Sequence, residues 1–109
     1  MKVGTKGVMN IDFSETYDQE DDVYYVTFKT GEPSYCVEVD DVLLLEVGSF
    51  SHLPTGFRIL NFRKNRVQAV GVGVQLVKKM TDALSKMSPP ATIKQRYAVV
   101  ERALEKVLA

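Results

Sequence analysis

Val23-Tyr24-Tyr25-Val26-Thr27-Phe28 is an unbroken run of β-branched and aromatic residues, the composition that best fits a pleated, half-buried surface, and it predicts a strand. Downstream, Lys29-Thr30-Gly31-Glu32-Pro33-Ser34 holds a glycine, free to take positive φ, and a proline of fixed φ, so the chain turns. Tyr35-Cys36-Val37-Glu38-Val39 then alternates: Tyr35, Val37 and Val39 share one face and Cys36 and Glu38 the other, with one side predicted to meet the core. Asp40-Asp41 is a two-residue acidic break before Val42-Leu43-Leu44-Leu45-Glu46-Val47, a pattern that predicts a tight hairpin. Residues 48–56, bounded by glycines and interrupted by Pro54, read as a loop before a fifth strand, Phe57-Arg58-Ile59-Leu60-Asn61-Phe62. Upstream, Val8-Met9-Asn10-Ile11-Asp12-Phe13 sets Met9, Ile11 and Phe13 on one face of a short first strand. Short consecutive strands, each closed by a turn, predict an antiparallel β-meander of four to five strands over residues 8–62, with the strand order left open.

The period changes after Arg63-Lys64-Asn65-Arg66, which reads as the end of the β half. Val67, Val70, Val74 and Val77 recur at spacings of three and four, as do Val72, Leu76, Met80, Ala83 and Met87. Two apolar stripes predict a helix over residues 67–87 that is buried on more than one side, between sheet and second helix or at a subunit contact. Gly71 and Gly73 oppose this reading, at about 1 kcal/mol each against alanine, and strand alternation through Val70, Val72 and Val74 is its rival. Ser88-Pro89-Pro90 stops the helix, since proline lacks the amide hydrogen and clashes with the preceding turn. Thr92 is the expected N-cap of a second helix carrying the stripe Ile93, Tyr97, Val100, Leu104 and Val107. The expectation is a single α+β domain: a β-meander, then two C-terminal helices over residues 67–108.

Three stretches of the β half resemble a family of small bacterial and archaeal domains known as domain of unknown function 2283. They are Tyr17-Asp18-Gln19-Glu20-Asp21-Asp22-Val23-Tyr24-Tyr25-Val26-Thr27-Phe28, then Val37-Glu38-Val39-Asp40-Asp41-Val42-Leu43-Leu44-Leu45-Glu46, and Gly56-Phe57-Arg58-Ile59-Leu60-Asn61. The resemblance runs from Asn10 to Phe62, about half the chain. Two departures stand out: Phe50, His52, Leu53 and Pro54 occupy a loop that is usually a short polar turn in such domains, and the helical part is additional. The resemblance implies a fold and no activity; association with a partner protein, as in a toxin–antitoxin pair, is expected only by analogy.

At 109 residues, with 45% hydrophobic and 26% charged side chains, the chain has the size and composition of one globular domain with a real core. Its apolar runs are far shorter than the roughly 20 residues that cross a bilayer. Met1 to Met9 lack a signal-peptide core, and Cys36 is the single cysteine, so no internal disulfide forms and a reducing cytoplasmic setting is expected. Net charge is zero, yet residues 1–50 hold 11 acidic and 3 basic side chains against 3 and 11 in residues 51–109, a split of −8 and +8. Complementary halves, packed within one chain or between copies, explain such a split better than a nucleic-acid face does, because phosphate binding ordinarily goes with net positive charge.

No residue pattern carries recognisable chemistry. Asp18, Glu20, Asp21 and Asp22 offer oxygen ligands, but aligned on an EF-hand loop they put Val23 at the turn glycine and Lys29 at the bidentate glutamate. His52, the one histidine, lies beside Ser49 and Ser51 without a nucleophile elbow. Cys36 has acidic neighbours, Glu32 and Glu38, which disfavour a thiolate. Gly71 and Gly73 lack the third glycine of a dinucleotide fingerprint, since residue 76 is Leu. Arg58, Arg63, Lys64 and Arg66, interleaved with Phe57 and Phe62, form the best nucleic-acid candidate, with arginines for phosphate and aromatics for stacking. The reading is therefore non-enzymatic, without cofactor or metal: a module that self-associates or binds a partner protein, with a small nucleic-acid-binding or regulatory domain as the alternative.

Overall fold

The computed structural model describes residues 12–87 and 90–108. Strands β1 (Phe13–Asp18), β2 (Val23–Phe28), β3 (Ser34–Asp40), β4 (Leu43–Gly48) and β5 (Pro54–Leu60) are followed by helices α1 (Phe62–Ser85) and α2 (Ala91–Leu108). This is an α+β fold, and the five strands form one antiparallel sheet. Its order is β1-β2-β5-β4-β3, so a sequential meander holds only from β3 to β5. The connection after β2 carries the chain to the far edge, and β5 returns to fill the centre.

Several boundaries differ from the sequence reading. The first strand is Phe13–Asp18, so it takes in Glu15 to Asp18, the start of the acidic stretch that runs to Asp22; residues 8–11 of the expected first strand lie outside the described residues. β5 starts at Pro54 and stops at Leu60 because Asn61 takes left-handed backbone, φ 50°, and turns the chain into α1. The segment Arg63 to Arg66 thus opens the helix instead of closing the sheet, and Phe62, read as the end of the fifth strand, is the first residue of α1. Thr92 sits inside the first turn of α2; the Pro90 carbonyl accepts from Ile93 and Lys94 N–H at 3.1 and 3.4 Å.

Both helices pack on one sheet face, where Val26, Phe28, Leu43, Phe57 and Ile59 meet Ala69, Val70 and Val77 of α1 and Tyr97, Val100, Leu104 and Val107 of α2. The predicted α2 stripe is the one that packs. In α1 the buried line is Ala69, Val70, Gly73 and Val77, while Val67 and Val74 face solvent. The strand rival fails, because residues 70–74 lie within α1, and Gly73 lets the helices approach: a Cβ there would stand 2.8 Å from Leu104 Cδ1. Gly71 meets nothing within 4 Å, so it carries only the entropic cost of glycine.

Ion pairs join the acidic and basic halves within the chain: Arg58 pairs with Glu46 at 2.8 Å and Lys106 with Glu15 at 3.4 Å.

Candidate interaction surface

The four basic residues do not converge. Arg58 lies mid-strand in β5, in the cross-strand row Tyr25, Arg58, Leu44, which alternation places on the helix-free face. Its Nε donates to Glu46 Oε2, its guanidinium stands 5.2 Å from the Tyr25 ring centroid, and the bond to Glu46 raises its pKa. Arg63, Lys64 and Arg66 instead occupy the first turn of α1 and are exposed. Of the aromatics, Phe57 is core and Phe62 stacks on Tyr24, ring centroids 4.6 Å apart, with Tyr17 at 5.4 Å.

Cations at a helix N-terminus are unfavourable, and the acidic stretch supplies the remedy. Asp22, with φ 57°, accepts the Arg63 N–H on its carboxylate at 3.2 and 3.4 Å and the Phe62 N–H on its carbonyl at 2.9 Å. It caps α1 from 41 residues away, while Asn61 makes no side-chain cap bond. The Tyr17 hydroxyl also donates to Asp22 at 2.6 Å, and this bond to a carboxylate raises the Tyr17 pKa. Asp18 holds its own turn by accepting from the Glu20 and Asp21 N–H groups. Of the four carboxylates that resemble cation ligands, Asp18 is thus a turn group and Asp22 a cap group, and among the described residues no set of three His, Cys, Asp or Glu is placed to hold a metal.

His52 is an exposed loop residue with φ 59°. Its loop is built around Glu32, whose carboxylate accepts the Phe50 and Ser51 N–H groups at 3.0 Å each; the Ser51 bond leads in holding Glu32 below the usual carboxylate range. Gly48 makes room, since a Cβ there would overlap that carboxylate. Cys36 is a free thiol exposed on β3.

The feature the sequence reading missed lies at β3. Tyr35 and Val37 pair with Val47 and Leu45 and point to the helix side, yet neither helix covers them: they remain 47% and 42% exposed. Beside them, Val39 of β3 and Val72, Gln75, Leu76, Lys78, Lys79 and Asp82 of α1 line an open groove of about 570 Å³. Among the described residues β3 has β4 on one side and no strand on the other, so a row of backbone donors and acceptors flanks this apolar strip. The period-2 pattern already marked Tyr35, Val37 and Val39 as one face; only the reach of α1 decides whether that face is covered. No helix among the described residues is long and apolar enough to cross a membrane. No family profile matches the chain, and no curated protein or solved structure is significantly similar to it.

Proposed function

We propose that this chain is a non-enzymatic, cytoplasmic protein-interaction module that engages itself or a partner protein through the β3 edge and the groove beside it. The observation that carries the reading is the pair Tyr35 and Val37, apolar, aimed to the core side and uncovered at an open strand. A valine gains about 1.5–3 kcal/mol on full burial, so roughly 1 kcal/mol at Val37 alone is left for an added surface to collect. The resemblance of residues 10–62 to the domain of unknown function 2283 family is consistent with such a role. Nucleic-acid binding is the second reading and rests on Arg63, Lys64 and Arg66 sharing one exposed helical turn; Arg58 is already held by Glu46.

Val37→Lys tests the main reading. The variant should keep the fold of the parent, yet lose association measured by light scattering and, at a dilution that separates copies, lose binding of a hydrophobic fluorescent dye. A variant that associates and binds dye as the parent does would overturn it.

A further inference from the structure

Resting on the reading above, we infer that the occupant of the β3 edge is a second copy of this chain, paired antiparallel with β3 about a two-fold axis at Cys36. The hydrogen-bond parity of the edge carries the argument. Ser49 donates to the Pro33 carbonyl at 2.8 Å, one step beyond the Ser34–Gly48 pair. In an antiparallel ladder, hydrogen-bonded and non-hydrogen-bonded pairs alternate. Tyr35 and Val37 therefore turn their N–H and C=O toward β4, and Ser34, Cys36 and Glu38 turn theirs to the free edge. A register shift between Glu38 and Asp40 ends the regular ladder, so the outward groups form a symmetric set of three centred on Cys36.

An axis at Cys36 puts Cys36 opposite its own copy and Ser34 opposite Glu38 of the second copy, which satisfies all three outward N–H groups and all three carbonyls of each strand. On the helix side it sets Tyr35 against Val37 of the second copy, an aromatic and β-branched pairing that stabilises antiparallel strands. No like charges meet, since Glu38 faces a serine, and with zero net charge the two copies have no general repulsion to overcome. Pro33 of the second copy arrives beside Val39, at the mouth of the groove. The two sheets join into one of ten strands, an isologous contact in which the same strip serves both sides.

Paired cysteines read the register. Two variants, Tyr35→Cys and Val37→Cys, each with Cys36→Ser, are mixed and oxidised mildly with copper phenanthroline, and mass spectrometry identifies the products. In this register, residues 35 and 37 of opposite copies form a non-hydrogen-bonded pair with Cα atoms about 4.5 Å apart, within disulfide reach. The mixed disulfide should exceed its statistical share, and neither variant should link to itself. Val37→Cys linking to itself would move the axis to Val37 and overturn the Cys36 register. An associated parent whose variants form no disulfide would overturn β3 pairing altogether. A parent that stays monomeric at every concentration would overturn the second copy as occupant. The reading of β3 as an interaction surface is judged separately, by loss of dye binding in Val37→Lys. Circular dichroism of each variant confirms that the fold is intact.

Discussion

The sheet has two edges, and the chain treats them differently. At β1, the ring of Phe13 packs edge-on to Phe28 with centroids 6.2 Å apart, and Arg102 and Lys106 of α2 stand 5.8 and 5.6 Å from its centroid. Glu15 accepts from the Tyr24 hydroxyl at 2.6 Å and pairs with Lys106. Burial, followed by this bond, lifts the Tyr24 pKa far above its ordinary value of 10. At β3, Tyr35 and Val37 point to the same side and no helix covers them. The cation–π contacts are worth about 0.5–1 kcal/mol each at exposed positions and the ion pair, with Lys106 largely exposed, about 0–1. Long side chains snorkelling from α2 cover the Phe13 side chain at β1, whereas Tyr35 and Val37 at β3 stay exposed.

The largest test of this contrast is a matched pair of truncations. Phe13→Ala should cost about 2 kcal/mol of unfolding free energy, reduced from the usual range for phenylalanine because the ring is half-buried. Val37→Ala, measured in denaturant at a dilution that separates copies, should stay within about 0.5 kcal/mol. Equal losses would break the comparison. A smaller effect sharpens it at the turn beyond β1: Asp22→Ala removes the α1 cap and should cost about 1 kcal/mol, a fall in melting temperature of about 5 °C, with Asp22→Asn restoring part. The smallest lies at the foot of β3 and depends on pH. Glu32 has a lowered folded pKa, so its contribution is fully present above the ordinary value of 4.5 and is lost as the pH falls below that, through the folded value. Melting temperature followed from pH 7 to 3 should drop less in Glu32→Gln than in the parent.

Local pattern made most elements legible. Alternation or β-branched runs marked β2 to β5, and the stripe from Ile93 to Val107 marked α2, because each depends on residues a few positions apart. What depends on distant pairing was not legible. β5 takes the centre because Phe57 and Ile59 face the core between Val26 of β2 and Leu43 and Leu45 of β4, a choice no local period records. The start of α1 was misplaced because its cap comes from Asp22 and its first residue, Phe62, is fixed by Tyr24. Gly73 read as a helix breaker until Leu104 was seen to need its space. The candidate surface was half legible: its residues were named, and their exposure was set by where α1 runs.

The central place of β5 also governs how the chain reaches its structure. Among the described residues β1 pairs only with β2 and β3 only with β4, and β5 alone joins the two hairpins. During synthesis from the N-terminus, hairpins can form within microseconds, but as isolated two-stranded ribbons they are marginal in water. Until residues 54–60 clear the ribosome, no wider sheet exists, and the inner edges of β2 and β4 stand as open as β3 does in the finished molecule. The fold is therefore committed late, by its last strand, and a nascent chain stopped short of Pro54 presents four unpaired strand edges instead of two.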